Sequence, residues 1–250
     1  MAVSWTSDDR SKRGLSWAEL VDQAARLLGV EPELLRFRGD SLRILEYFSI
    51  KKAGVAPLIN WQMREMHAPD AALASSVVHT ALCGLRHCRT IYTTNYDDYI
   101  ERSFTLAGEA VQKVAIEADM GAHGHQREVV KFHGDFDHPT TLVVTESDYN
   151  RRLAFESPMD FRLRADLLGR AILFIGYSFN DANVAYLFHK VKELLHGLPG
   201  TPSGRRAYIV LPNPSDFEIQ LFRVRNIEVL PIDGIDLTAE TARLLEEIAA

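Results

Sequence analysis

Three short segments gather the side chains best suited to chemistry. Thr93-Thr94-Asn95-Tyr96-Asp97 sets an amide beside a carboxylate: Asn95 can orient a water or a sugar hydroxyl, and Asp97 can bind a ribose hydroxyl or a cation. The same residues also read as a helix N-cap at Asn95 with two first-turn aspartates, Asp97 and Asp98, favoured by the helix dipole. His133-Gly134-Asp135 offers an imidazole whose ordinary pKa makes it the natural proton acceptor, although a lone histidine at a strand end is more often hydrogen-bonded structure than a catalyst. Gly176-Tyr177-Ser178-Phe179-Asn180-Asp181 combines a glycine that admits a ligand close to backbone with a hydroxyl at Ser178. Asn180 or Asp181 can cap the helix that follows, leaving its first N–H groups for an anion, or can simply close a strand–helix turn. Neither G-x-G-x-x-G nor G-x-x-x-x-G-K-[ST] occurs.

Each segment begins where a strand is predicted to end. Short β-branched or apolar runs predict strands at 89–94, 129–134, 140–145, 171–177, 207–212 and 227–232. Helical stretches are expected at 96–106, 161–168, 181–195 and 215–225. Strands alternating with helices imply an α/β fold with a doubly wound, mostly parallel sheet, which binds ligands beyond the carboxyl ends of its strands. The first third reads differently. Ser16 and Glu19 frame a capping box, Leu20, Ala24, Leu27 and Leu28 recur at helical spacing, and Gly29 stops the run. Further helices follow with breaks at Gly39, Gly54, Pro57 and Pro69. The expectation is a single domain, 1–250, with a helical subdomain at about 30–80 inserted or packed beside a sheet core at 89–235.

Composition narrows the function classes. The chain has 250 residues, 46% hydrophobic and 25% charged, with a formal net charge of −6. That suits a packed globular core and argues against direct nucleic-acid binding, which concentrates Lys and Arg. No apolar run approaches the ~18 residues of a membrane span, and the polar start has no apolar signal core, so a cytoplasmic protein is expected. Two cysteines make no disulfide framework. His79, Cys83 and His87 recur every fourth residue, with Cys88 adjacent, but a half-buried helix leading into the next strand explains them without a metal. His123 and His125 lie in a Gly-rich loop and are poor metal evidence.

Taken together, the three segments resemble the sirtuin-related SIR2-like family. TTNYD is similar to the TQNID-type motif of sirtuins and closer to the TTN-[YF]-D form of bacterial SIR2-like domains. HTALCGLRHCRTIYTTNYD resembles the approach to that motif, KFHGD the segment carrying the catalytic histidine, and ILFIGYSFND the strand-end G-T/Y-S motif. GLSWAELV resembles the segment after the family's glycine-rich loop. The motifs come in family order over roughly residues 14–235.

The resemblance implies a Rossmann-like domain with NAD as substrate or ligand. It assigns Asn95 to a water or the nicotinamide-ribose hydroxyls, Asp97 to the nicotinamide or ribose region, and His133 to general base. Ser4, Thr93, Thr94, Gly134, Gly176, Tyr177, Ser178, Asn180, Asp181 and, with a weaker match, Asn213 would bind the rest of NAD. The implied reaction is hydrolysis at the nicotinamide ribose, giving nicotinamide and ADP-ribose, in the setting of bacterial antiviral defence. The alternatives are an impaired NAD- or ADP-ribose-binding module and an NAD-dependent deacylase. Cys83 and Cys88 cannot build the zinc module of the deacylating sirtuins, so no zinc is expected. The family opens with a strand and a G-A-G-x-S loop. This chain starts at or just after that loop, with Ala2-Val3-Ser4 as its remnant, so the first strand and Gly-rich loop are expected to be missing and activity reduced. The final helix leaves no room for a sensor, so a homo-oligomer or a separate sensor or effector protein is expected.

Overall fold

A computed structural model describes residues 3–7, 10–121, 127–154, 156–177 and 207–250. The expected helix at 181–195 and the histidines 123 and 125 lie outside the described residues. The chain divides into two compact units, residues 2–154 and 155–250.

The first unit begins with an antiparallel hairpin of β1 (Ser4–Ser7) and β2 (Arg10–Arg13), an element not expected from the sequence. Strand alternation turns Trp5 inward, where it joins Val3, Ala68, Leu73 and Tyr99 in a small core. Six helices follow: α1 (Trp17–Leu28), α2 (Pro32–Arg38), α3 (Ser41–Lys52), α4 (Ala56–Glu65), α5 (Asp70–Ala74) and α6 (Val77–Gly84). The capping box at Ser16 and Glu19 is present, and Gly29 closes α1 in the left-handed conformation at φ 75°. Leu20, Val21 and Ala24 of α1 pack on Ile44, Leu45 and Phe48 of α3 and on Leu58 and Ile59 of α4. Tyr96, Leu142 and Val144, from the segments flanking the sheet, complete the same core.

The sheet of this unit is parallel, with β3 (Thr90–Thr93), β4 (Val111–Val114) and β5 (Arg127–Lys131) in the order β3-β5-β4. Helix α7 (Tyr99–Leu106) connects β3 to β4, and α8 (Glu146–Leu153) follows the turns after β5. β4 was not anticipated, because VQKV is half polar; as an edge strand it needs no continuous apolar run. The run 140–145 is not a strand. Pro139–Thr141 forms a 3₁₀ turn, and Leu142, Val143 and Val144 are buried without joining a ladder. Their backbone is served instead by the Tyr96 hydroxyl, which donates to the Val143 carbonyl at 2.6 Å, and by the His133 carbonyl, which accepts from the Val143 N–H at 2.9 Å.

The second unit holds α9 (Pro158–Gly169) and a parallel sheet of β6 (Ile172–Phe174), β7 (Ala207–Pro212) and β8 (Ile227–Ile232) in that order. Helix Asp216–Val224 joins β7 to β8, and Leu237–Ala249 follows β8. Phe174, Ala207, Ile209, Leu211, Phe222 and Ile227 form its core. Parallel strands joined by helices make the α/β, Rossmann-like class plain. Among the described residues no helix is long and apolar enough to cross a membrane.

Phe48 is fully buried, whereas Phe37 on α2 is 89% exposed. Phe48→Ala should therefore destabilise the protein by about 3–5 kcal/mol, and Phe37→Ala by no more than ~0.5 kcal/mol; urea unfolding of the two variants checks the contrast.

Candidate functional site

β3 and β5 are neighbours in parallel register, with Thr93 opposite Lys131. Their carboxyl ends therefore open on the same sheet edge, and the pairing continues one step further as the Phe132 N–H donates to the Thr93 carbonyl at 2.8 Å. This brings Thr93, Thr94, Asn95, Asp97, His133 and Gly134 to one edge. Thr93 is buried and its Oγ1 accepts from the Asn95 N–H at 3.1 Å, which turns the chain out of the strand. Asn95 is exposed, Thr94 half-buried. The next helix starts at Tyr99 rather than Tyr96, so Asn95 and Asp97 sit in a turn instead of a helix cap. Tyr96 inserts its ring into the helical core, beside Phe136 at 5.8 Å between centroids, and anchors that turn from behind.

Asp97 is buried, and its Oδ1 accepts from the Tyr99 N–H at 3.2 Å. Burial pushes its pKa up, and the neighbouring Lys131 ammonium opposes the shift. Lys131 itself is 1% exposed. Its Nζ donates to the Asp97 main-chain carbonyl and lies 3.3 Å from Glu101 Oε1 and 3.8 Å from Asp135 Oδ2. Asp135 in turn pairs with Lys113 at 3.1 Å and accepts from the Asp137 N–H at 2.8 Å. Sequence reasoning missed Lys131; its one signal is a lysine inside the apolar run Val129-Val130-Lys131-Phe132.

His133 is buried between aromatic neighbours, stacked on Phe132 at 5.8 Å and edge-on to Tyr149 at 5.3 Å. Burial drives its pKa down to about 3, assisted by the Arg152 guanidinium, which lies 3.9 Å from the centroid of the Phe132 ring. The imidazole is therefore neutral throughout the physiological range. Gly134 has φ 92°, and a Cβ there would sit 2.4 Å from the Thr141 carbonyl oxygen. Only glycine lets the Pro139–Thr141 turn close against the histidine's own turn.

The remaining candidates belong to other elements of the chain. Ser4 opens β1 with an exposed side chain. In the second unit Gly176 is exposed at φ 75°, Tyr177 is half-buried against Phe174, and Asn213 is exposed at φ 44°, its N–H extending the β7–β8 pairing to Ile232. Ser178, Asn180 and Asp181 lie outside the described residues. The histidine–cysteine face does not assemble as spaced: α6 ends at Gly84, leaving His87 exposed beyond it. His79 is buried and shares a 2.8 Å hydrogen bond with Ser76 Oγ, and burial lowers its pKa to about 4. Burial raises the Cys83 thiol to about 11. No group of three metal-ligating side chains occurs among the described residues.

The family model of the SIR2-like domain matches residues 89–230. Over 226 residues the chain is 25% identical to the NAD(+) hydrolase ThsA of Bacillus cereus (strain MSX-D12), covering 88% of this chain and 45% of that protein. It is 31% identical over 179 residues to the NAD(+) hydrolase ThsA of Acinetobacter baumannii (strain 532279), covering 64% of this chain and 35% of that protein. Defense-associated sirtuin 2 of Bacillus subtilis is 25% identical over 209 residues, 81% of this chain and 20% of its own length. The chain thus spans less than half the length of these relatives.

Two outcomes follow from the geometry. Gly134→Ala should cost on the order of 3 kcal/mol, from strained backbone plus the clash with Thr141, read by chemical denaturation. His133 should show no imidazole titration by NMR between pH 8 and pH 5. Because its folded pKa is depressed from 6.5 to about 3, its contribution to stability is complete above pH 6.5 and lost as pH falls through that window; His133→Gln should flatten that part of the acid limb.

Proposed function

The chain belongs to the SIR2-like domain family, and from that premise we propose that it hydrolyses NAD to nicotinamide and ADP-ribose in bacterial defence against viruses. The observation that carries this reading is the shared edge of β3 and β5, where the Asn95 turn and the His133 turn lie on adjacent strands in fixed register. The names of the relatives, NAD(+) hydrolase and defense-associated sirtuin, support the same chemistry and setting.

In this reaction the bond between the ribose anomeric carbon and the nicotinamide nitrogen breaks, and the electron pair leaves with nicotinamide. The ribose carbon becomes oxocarbenium-like, and a water adds to it. Asn95, exposed at the end of the turn, orients the water or the ribose hydroxyls. Asp97, buried at the same turn, contacts the nicotinamide or ribose region in this reading. His133 is neutral, so its lone pair is available to take the water's proton, and it adds no positive charge that would repel the cation. Its low basicity suits an attack in which the proton departs after the carbon–oxygen bond has largely formed. Thr93, Thr94 and Gly134 shape the backbone around the substrate, and Ser4, Gly176, Tyr177, Ser178, Asn180, Asp181 and Asn213 bind its remainder in this reading. A homo-oligomer or a separate sensor protein belongs to the same proposal, as do a single SIR2-like domain over 1–250 and a cytoplasmic setting.

Purified wild-type chain should release nicotinamide from NAD in water alone. Asn95→Ala and His133→Ala should each abolish that release while the circular dichroism spectrum stays unchanged. Turnover retained in both variants would overturn the assignment. NAD binding without turnover by the wild type would favour a regulatory module, and a requirement for an acylated peptide would favour a deacylase.

A further inference from the structure

Lys131 is the most completely buried charged side chain near the site, and the proposed chemistry gives it no role. Its ammonium is out of water and is met from three sides. The Asp97 carbonyl belongs to the turn that carries Asn95. The Asp135 carboxylate belongs to the turn that carries His133. Glu101 stands on α7, and neither of its buried oxygens makes a hydrogen bond. Removing a lysine from water is costly, and an apolar residue would fill the same volume without that penalty. What an apolar residue would not do is bond the two turns to one point.

We propose that Lys131 is a positioning residue, whose ammonium pins the Asn95 turn and the His133 turn to each other through the Asp97 carbonyl and the Asp135 carboxylate. The proposal rests on the NAD-hydrolysis reading for its catalytic consequence, while the tether itself is a property of the fold. The backbone ladder alone stops at Phe132 and Thr93, before either turn is complete. Beyond that point the turns are crossed by the Lys131 group, by a long 3.4 Å bond from the Phe136 N–H to the Tyr96 carbonyl and by the apolar packing of the Phe136 and Tyr96 rings. Lys113, half-buried on β4, holds Asp135 from its other side and keeps the carboxylate aimed at Lys131.

The test separates positioning from plain stability. Lys131→Met alone strands Glu101 as an uncompensated buried carboxylate and can fail to fold for that reason. The paired variant Lys131→Met/Glu101→Gln removes both charges and should recover a wild-type Tm. In that full-length protein, hydrogen–deuterium exchange should rise about tenfold in peptides spanning 93–99 and 133–136, with no change in β7. Its kcat for NAD should fall roughly 10- to 100-fold with KM held within about threefold. Unchanged exchange in the two turns would overturn the tether. Faster exchange with wild-type kcat would overturn its catalytic role. If the wild type itself does not cleave NAD, the NAD reading fails, and exchange in the paired variant still decides for or against the tether.

Discussion

The parallel pairing of β3 with β5 is the constraint on which the candidate site depends. Side chains on a strand alternate faces, so a slip of one residue would reverse every side chain on β5 and carry His133 away from Asn95. Thr93 opposite Lys131 fixes the register, and both chains leave the sheet within two residues of that pair. Everything beyond is turn, held by contacts that are individually small: the Thr93 hydroxyl on the Asn95 N–H, the Tyr96 hydroxyl on the Val143 carbonyl, the Val143 N–H on the His133 carbonyl. The sheet supplies the coordinate frame and the turns supply the chemistry.

The electrostatics of that edge are built from burial more than from exposed charge. His133 is kept neutral because the space between Phe132 and Tyr149 does not solvate an imidazolium, with Arg152 adding to the effect. Asp97 and Glu101 are both pushed toward the protonated form by burial and drawn back by Lys131. A reaction that develops positive charge on a sugar carbon is well served by such a place. It combines a neutral imidazole with buried carboxyl groups gathered around the Lys131 ammonium.

Much of this was legible in the residues. β7 and β8 fall at the expected bounds because AYIVLP and IEVLPI are apolar runs closed by proline, asparagine or aspartate. The capping box at Ser16 marks a helix start because its hydroxyl–carboxylate exchange is local in sequence. The failures have equally physical origins. β4 sits at the edge of its three-stranded sheet, where three of its four residues are only partly buried, so VQKV carries no strong pattern. Residues 140–145 are apolar and β-branched, yet they serve the helical core, because their backbone groups find partners on Tyr96 and His133 rather than on a strand. The role of Lys131 was not legible because its value lies in long-range partners, 34 positions away at the Asp97 carbonyl. Whether Asn95 caps a helix or sits in a turn depended on three residues of helix that local propensity does not decide.

The placement of Tyr96 carries one more consequence. It stands in the site's turn, yet its ring belongs to the same apolar cluster as Leu20, Leu45, Phe48 and Leu58. The turn is therefore coupled to the helical layer through Tyr96, and loosening of that layer reaches the site. Substitutions far from the chemistry, on the inner faces of α1, α3 and α4, will be felt at Asn95 as a loss of order. The inner faces of those helices are thus constrained by the order of the turn as well as by their own packing.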